Sequence, residues 1–375
     1  MIIGGGVQGA SLAYNLARAK TGKIILLEKR QIASGPTARS SAMIRPLFMD
    51  TVYIRLVQEA TDLFEHWDDE VGGDPGFVQN GFLRITNTLD ADALGGDLDL
   101  MKGLGVAFEV LKADELSYQE ATGAFREDEM GVLFPGGGSA DPIATTLSLA
   151  VAAKRNGVEV IEGVDVTGIG VKQGRLYAIQ TDAGEINTRV AVNCGGAWGH
   201  RIAALAGVQL PIEIHRTPVC LFHRPEQMRA EGPILSDGVN EIVLLRADEK
   251  QFRSGLFAWS TDPADPDAYD ETISQGQLDA FRRALEPRYA GMRETAFLGG
   301  FSALYDMTPD AHPIVGETEV EGFWNNCGWS GNGFASAPVF GRCLAAEIVG
   351  SSGMDEIDIS AFNWPRPPGV KERHL

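Results

Sequence analysis

The sequence predicts an α/β protein in which a discontinuous Rossmann-like domain carries an inserted α+β domain with a mixed or antiparallel sheet. Three observations predict this architecture. A strand, a glycine turn and a helix open the chain, similar α/β signals recur in three separated blocks, and the segments between the blocks follow a different pattern. At 375 residues, the chain is long enough for two substantial domains.

The opening residues form a G-x-G-x-x-G turn at Gly4, Gly6 and Gly9. An apolar strand over residues 1–3 precedes the turn, an alanine- and leucine-rich helix follows it, and a second strand ends in Glu28. In a β-α-β dinucleotide site, the glycines allow a tight turn and a close approach to the pyrophosphate, and the helix N-terminus faces the phosphates. The acid about 20 residues further on accepts hydrogen bonds from the ribose. An ordinary glycine turn is the alternative, but it does not account for the strand, helix and acid together. We therefore predict that the chain binds an adenine dinucleotide.

The α/β signals define the first predicted domain. Its blocks are residues 1–40, 140–205 and 310–365. In the second block, Asp141 and Pro142 have the character of an N-cap and a first helical residue, and they precede a predicted helix over 143–155. A strand is predicted over 186–193. In the third block, a glycine loop leads into a predicted helix over 334–349.

The intervening segments, residues 41–139 and 206–309, are the predicted substrate-binding domain. An amphipathic helix is expected over 53–69 and an apolar strand over 252–259. The acidic, proline-bearing stretch 262–271 is predicted to be a solvated turn.

Composition excludes several classes of partner and site. A formal net charge of −19 argues against binding to nucleic acid or to an anionic membrane surface. The four cysteines contain no C-x-x-C pair, so we predict no metal site and no disulfide scaffold, and they fit a reducing compartment. No signal-peptide pattern and no apolar run of bilayer length is present, so a cytoplasmic location is expected. The glycine turn lies so close to Met1 that the first strand is short, and a native start before this methionine stays open.

Four stretches of the chain carry a family resemblance. One is the loop at 34–45. The other three lie near the C-terminal end, at 305–310 (YDMTPD), 312–316 (HPIVG) and 327–334 (CGWSGNGF). They are similar to the closing signature and the second flavin loop of the D-amino-acid oxidase superfamily, in its glycine/sarcosine oxidase and dimethylglycine dehydrogenase branch. The resemblance implies FAD as the cofactor and oxidation of a carbon–nitrogen bond. Hydride would pass from the substrate to flavin N5, and the resulting imine would hydrolyse.

The opening turn and the resemblance together give a set of expected FAD contacts. They are Gly4, Gly6, Val7, Gln8, Gly9, Glu28, Lys29, Arg39, Ser40, Ser41, Val166, Cys194, Gly195, Trp198, Gly331, Asn332, Gly333 and Phe334. A glycine loop that opens a helix would direct N–H donors and a positive dipole end at the charge that develops on a reduced flavin. A plain strand-to-helix turn is the alternative for the last loop.

The resemblance also implies residues for the substrate. Arg45 stands where relatives place an arginine that binds the substrate carboxylate, Tyr305 where a tyrosine lines the pocket, and Arg253 near a lysine that assists reaction with dioxygen. A salt bridge is the alternative for Arg45, and packing at the domain interface is the alternative for Tyr305. Further pocket candidates, for which core packing is the alternative, are Trp259, Phe257 and Trp329.

The chain departs from the family pattern at several positions. Ala303 stands where some relatives attach flavin to a cysteine, and residues 1–65 contain no histidine, so non-covalent FAD is predicted. Ala335 replaces a carboxylate-binding lysine and Phe257 replaces an active-site histidine, so we expect a bulkier or more apolar substrate than N-methylglycine. Two further possibilities stay open. One is a flavin dehydrogenase of a 2-hydroxy acid or polyol phosphate; the other is a flavin-bearing subunit that passes electrons to a partner subunit or acceptor protein.

Overall fold

The computed structural model describes residues 1–119, 123–226, 228–246, 248–257, 262–351 and 357–367. The α-helices are α1 (Val7–Arg18), α2 (Thr51–Glu65), α3 (Trp67–Glu70), α4 (Thr88–Gly103), α5 (Ala113–Gln119), α6 (Pro142–Arg155), α7 (Gly199–Leu205), α8 (Gln275–Leu285) and α9 (Ala337–Val349). The first strands are β1 (Ile2–Ile3), β2 (Ile25–Glu28), β3 (Met43–Ile44), β4 (Phe82–Asn87), β5 (Glu109–Lys112), β6 (Glu129–Phe134), β7 (Gly138–Ser139), β8 (Glu159–Glu162), β9 (Val166–Lys172) and β10 (Arg175–Thr181). The others are β11 (Gly184–Asn187), β12 (Ala191–Asn193), β13 (Glu213–His223), β14 (Ile234–Asp237), β15 (Ile242–Arg246), β16 (Gln251–Leu256), β17 (Asp262–Pro263), β18 (Phe297–Met307), β19 (Ile314–Glu317) and β20 (Phe323–Cys327).

A six-stranded sheet carries the opening glycine turn. Its order is β19-β20-β12-β1-β2-β8, and all neighbours pair in parallel except β19 with β20. Helices α1, α6 and α9 pack together on one face, and the β9–β11 sheet and α7 contribute to the apolar cluster on the other. The strands come from three distant stretches of the chain, so the sheet brings the first and last parts of the sequence together. The structure therefore has the α/β fold predicted from the sequence.

The second large sheet is built mainly of antiparallel pairs. Its order is β17-β13-β16-β15-β14-β4-β6-β5, with β18 also paired to β13 along most of its length. Only β14 and β4 run in parallel. Helix α8 packs on this sheet through Leu278, Phe281 and Leu285, which join a buried cluster with Phe222 and Phe252. The mixed sheet expected for the second domain is present, while the predicted domain boundaries stay a prediction.

A buried ion cluster fastens α8 to this sheet. Arg288, just beyond the helix, is 1% exposed; its Nε donates to Asp237 at 2.8 Å and its Nη1 donates to Glu129 at 2.7 Å. A buried guanidinium is tolerated only when such partners replace the lost water. The cluster is therefore a structural element of the fold.

Several predicted elements differ from the structure. The helix predicted over 53–69 breaks at His66, whose ring Nδ1 lies 2.8 Å from the Asp62 carbonyl at the end of α2. The strand predicted over 186–193 is divided, because the Thr188 hydroxyl donates to the Val190 carbonyl and turns the chain between β11 and β12. The helix predicted from residue 334 begins at Ala337.

Candidate active site

One large cavity lies where the parallel strands end. Its volume is about 660 Å³, and residues following β1, β2, β12 and β20 line it together with the end of β18. Open α/β sheets bind ligands in a crevice at the carboxyl ends of their strands. The cavity therefore occupies the place that this fold offers to a dinucleotide.

The first glycine turn forms the floor of the cavity. A Cβ on Gly4 would lie 2.4 Å from the Cys194 carbonyl oxygen, and a Cβ on Gly9 would lie 1.9 Å from the Gly4 oxygen. Gly4 also has a φ of 110°, which L side chains rarely adopt. The turn therefore requires these glycines for close packing of backbone on backbone, as the motif predicts.

The N-terminus of α1 is free of acidic side chains. Gly6 is its N-cap and makes no side-chain capping bond, and the first turn holds no aspartate or glutamate. The Val7 N–H donates to the Thr37 hydroxyl at 3.2 Å. This end of the helix therefore presents N–H groups and its positive dipole end beside the cavity, which suits a phosphate.

Glu28 ends β2 at the cavity wall. Its Oε2 accepts from the Gly5 N–H at 2.7 Å, and its Oε1 accepts from the Arg30 N–H at 2.8 Å. A carboxylate has about four acceptor positions, so these two bonds fix its orientation and leave capacity for a ribose hydroxyl. Glu28 therefore also holds the glycine turn, a role that the motif does not predict.

The last glycine loop lies against the first helix. Gln8 Nε2 donates to the Gly333 carbonyl at 2.7 Å, and the Ser11 hydroxyl donates to the Ala337 carbonyl at 2.6 Å. Gly331 has a φ of 81°, and a Cβ there would lie 3.0 Å from the Tyr305 ring. The opening and closing motifs thus form one wall of one cavity.

Arg45 is buried and lines the cavity. The residue is 6% exposed. Its Nη1 donates to the Leu47 carbonyl at 2.5 Å, and its Nη2 donates to Asn332 Oδ1 at 3.0 Å. Its Cζ lies 4.6 Å from the centre of the Phe48 ring. These contacts hold the planar guanidinium in one orientation. The burial of Arg45 argues against a surface salt bridge, while an interdomain salt bridge stays open.

Tyr305 and Asp306 come from β18 and line the same cavity. Burial raises the pKa of the Tyr305 phenol, and the nearby Arg45 cation opposes that shift. Burial also raises the pKa of Asp306 to about 6, although its Oδ2 accepts from the Gly328 N–H at 2.8 Å. The phenol is therefore a neutral hydrogen-bond donor at neutral pH, while the Asp306 carboxyl fastens the start of the last glycine loop.

Most expected cofactor contacts lie on this cavity. Gly4, Gly6, Val7, Gln8, Glu28, Lys29, Arg39, Ser40, Ser41, Val166, Cys194, Gly195, Trp198, Gly331, Asn332, Gly333 and Phe334 line it. Gly9 lies behind the turn, against Gly4. Trp329, expected in the substrate pocket, is 5% exposed and also contributes to the lining.

Two other substrate candidates lie elsewhere. The structure places Phe257 outside the cavity lining, where the guanidinium of Arg84 lies 5.8 Å from its ring, so the position that relatives give to a histidine does not face this cavity. Arg253 reaches the wall only indirectly, since its Nη1 donates to the Ser40 carbonyl at 3.4 Å. Trp259 lies outside the described residues, and β16 ends at Leu256 rather than at residue 259.

Several lining residues were not anticipated from the sequence. Asn326 links Gln8 to the Trp329 indole, whose Nε1 donates to Asn326 Oδ1 at 3.1 Å. Asp267 lies in the stretch predicted to be a solvated turn, yet it lines the cavity. Most of the stretch 262–271 is exposed, as a solvated turn would be, but Asp262–Pro263 forms β17 and several carboxylates of the stretch pair with basic residues near the first sheet. The proximity of those basic residues depends on tertiary structure and left no local sequence signal.

Two further kinds of feature were sought in the described part of the chain, a metal site and a membrane-spanning helix. Within it, no group of histidine, cysteine, aspartate and glutamate side chains is arranged to hold a metal ion. All four cysteines are buried. Among the described helices, none combines the length and the apolar character that a bilayer crossing requires.

Comparison with known proteins gives a consistent result. Residues 1–347 match the family model described as DAO, FAD dependent oxidoreductase. Mitochondrial sarcosine dehydrogenase of Mus musculus is 28% identical over 98% of this chain, which spans 41% of that relative, less than half its length. Sarcosine oxidase subunit beta of Rhizobium meliloti (strain 1021) is 24% identical over 98% of this chain and 87% of its own. The crystal structure of L-proline dehydrogenase from P. horikoshii superposes with a TM-score of 0.87 at 24% identity, covering 96% of this chain and 95% of that one.

Proposed function

The chain belongs to the DAO family of FAD-dependent oxidoreductases, and from that membership we propose that it oxidises the C–N bond of a secondary amine or N-alkyl amino acid. The observation that carries the proposal is the shared cavity, in which a buried arginine and a neutral tyrosine face the space beside a complete dinucleotide cradle.

The residues present fit FAD. The cradle at Gly4 and Gly9 excludes any Cβ, the first turn of α1 holds no acidic side chain, and the Glu28 carboxylate is oriented at the end of β2. We propose that the first turn holds the pyrophosphate, that Glu28 holds the ribose and that the loop from Gly331 to Phe334 holds the flavin ring. When bound, FAD supplies the hydride acceptor.

Non-covalent attachment of FAD is part of the proposal. Among the described residues that line the cavity there is no histidine, and Cys194 is the one cysteine. Burial raises the pKa of the Cys194 thiol to about 12, so the thiol stays protonated at neutral pH and is a poor nucleophile. Ala303 lines the cavity where some relatives carry the attaching cysteine.

Arg45 would bind the carboxylate of the substrate. Its guanidinium is already oriented by Leu47 and Asn332, so little side-chain freedom is lost on binding. A carboxylate held there places the neighbouring α-carbon within the cavity, and positioning of this kind supplies a large part of catalysis.

The same arginine favours the reactive form of the amine. An alkylamine has a pKa near the lysine value of about 10.4, but only the neutral amine can lose hydride from its α-carbon. A nearby cation and a water-poor cavity both disfavour the ammonium form. The Tyr305 phenol, kept neutral by burial, is a donor that can orient the substrate.

The test is anaerobic reduction of the purified yellow protein. Secondary amines, N-alkyl amino acids, primary amino acids and 2-hydroxy acids are added separately, and bleaching of the flavin absorbance is followed. Bleaching by amines supports the proposal, and bleaching by hydroxy acids alone would replace it with the dehydrogenase alternative. Arg45→Ala should raise the KM for carboxylated amines by about 100-fold or more, with FAD content unchanged. An equal loss of FAD would show that Arg45 serves the cofactor instead.

A partner subunit is a further proposal, supported by the similarity to a protein named as a beta subunit. Reoxidation separates the two cases. An independent oxidase reoxidises in air within the turnover time, whereas a subunit that needs a partner turns over only with an added electron acceptor.

A further inference from the structure

The stretch 262–271, here called the acidic strap, crosses from the second sheet to the rim of the cavity. At its start, β17 pairs with β13, and the Ala264 N–H donates to the Ile214 carbonyl at 2.8 Å. Arg216, on β13, donates to Asp262 at 2.9 Å. The strap is thus anchored on the sheet that does not carry the glycine turn.

In the middle of the strap, the Asp267 carboxylate contacts three residues that follow strands of the first sheet. Asp267 Oδ1 accepts from the Trp198 indole Nε1 at 2.8 Å and lies 3.2 Å from Lys29 Nζ, while its Oδ2 accepts from Arg201 Nη1 at 2.7 Å. The bond from Trp198 and the bonds from the two cations lower the pKa of Asp267, so the group is anionic at neutral pH. Asp267 therefore joins three side chains that all line the cavity.

Two neighbouring pairs complete the fastening. Asp265 Oδ1 accepts from Arg201 Nη2 at 2.8 Å, so Arg201 bridges two carboxylates of the strap. Further along, Glu271 accepts from Arg39 Nη2 at 2.6 Å, and Arg39 belongs to the loop after β2. The strap is tied to this side of the cavity at three positions.

The fastened part lies at one end of the cavity. Lys29 follows Glu28 at the end of β2, and its Nζ lies 3.9 Å from the centre of the Trp198 ring. In the sheet order, β2 and β20 lie on opposite sides of β1. Through Lys29 the strap therefore reaches the Glu28 end, where a dinucleotide places its adenosine ribose, while its Tyr269 packs in an apolar cluster with Leu304 and Cys327.

We propose that the acidic strap closes the adenosine end of the cofactor site, with Asp267 as the positioning residue that holds Lys29 and Trp198 in the wall, so that FAD leaves only when these ion pairs open. The proposal rests on FAD as the cofactor. It assigns the retention of a non-covalent cofactor to a segment anchored on the second sheet.

Release of FAD from the loaded protein tests the proposal. The rise in free-flavin fluorescence after dilution gives the release rate, which is measured from about 0.1 M to about 1 M salt, where the screening length falls from about 10 Å to about 3 Å. We expect release from the wild type to accelerate with salt. Asp267→Asn should release FAD about tenfold faster at the lower salt concentration and show a weaker salt dependence, since two ion pairs and one charge-assisted bond are lost.

The matched control is Glu321→Gln. Glu321 pairs with Arg175 at 2.7 Å on an exposed surface, and neither residue lines the cavity. This variant should release FAD at the wild-type rate and with the wild-type salt dependence. Circular dichroism should show that both apoprotein variants are folded under the conditions of the release assay, so that faster release reflects the lost contacts and not unfolding.

The outcomes separate failure of the strap proposal from failure of the cofactor assignment. Salt-independent release from the loaded wild type overturns the proposal even if Asp267→Asn does not fold. Identical release from Asp267→Asn and the wild type overturns it as well. Failure of the wild type to take up FAD would count against the cofactor assignment itself.

Discussion

The Asp306 carboxyl, which contacts the start of the last glycine loop, should make the stability of the protein depend on pH. Its carboxyl is 9% exposed, its Oδ2 accepts from the Gly328 N–H, and its backbone carbonyl accepts from the Ser330 N–H at 3.0 Å. Burial raises its pKa from 3.8 to about 6. The folded protein therefore binds this proton more tightly than the unfolded chain does.

The sign of the effect follows from that difference. The stability that comes from protonated Asp306 is fully present below pH 3.8 and is lost as the pH rises through about 6. A shift of about 2 units corresponds to about 3 kcal/mol in total. Between about pH 5 and about pH 8, the change in the free energy of unfolding is about 1.4 kcal/mol.

The perturbation is Asp306→Asn, which retains an oxygen to accept from Gly328 but does not titrate. Urea unfolding of the flavin-free wild type and variant is measured across that pH range. The difference between the two removes the contribution of every other titrating group. We expect the wild type to lose about 1.4 kcal/mol relative to the variant as the pH rises. Parallel curves, or a difference of opposite sign, would refute the assignment of a raised pKa to this carboxyl.

Three further predictions address the cofactor site and the fold. Gly9→Ala should abolish FAD uptake and lower the free energy of unfolding by about 1–3 kcal/mol, since its Cβ would lie 1.9 Å from the Gly4 oxygen. The control Gly96→Ala, whose Cβ would meet no atom within 4 Å, should change neither property. Flavin absorbance measures FAD uptake, and urea unfolding measures stability. Acid precipitation should release all flavin into the supernatant, and Cys194→Ser should not change that result; yellow colour in the wild-type pellet would contradict non-covalent attachment. Arg288→Met should cost about 3–5 kcal/mol of stability, because Asp237 and Glu129 would lose their buried partner, and a loss below about 1 kcal/mol in urea unfolding would show that the cluster relaxes.

The glycine turn and the last loop could be predicted because their constraints are local. Gly4 needs a positive φ and a close carbonyl contact, and both requirements leave a mark in the residue type. The helix predicted over 143–155 likewise agrees closely with α6 (Pro142–Arg155), since its N-cap Asp141 lies next to the segment. The predicted helix start at residue 334 is three residues too early, because Gly333 contacts Gln8 and Trp329 and the loop therefore continues to Ala337.

The sequence by itself determined the α/β class and an adenine-dinucleotide site, because these depend on short-range rules of turns, caps and spacing, and its family resemblance implied FAD and many of the residues that line the cavity. Tertiary structure decided which of these residues meet. Only folding brings Arg45 to Asn332, joins Gln8 to Gly333, leaves Phe257 outside the cavity lining and brings Asp267 to Lys29 and Trp198. These contacts join residues far apart in the chain, and their energies depend on burial and on charges that no local pattern records.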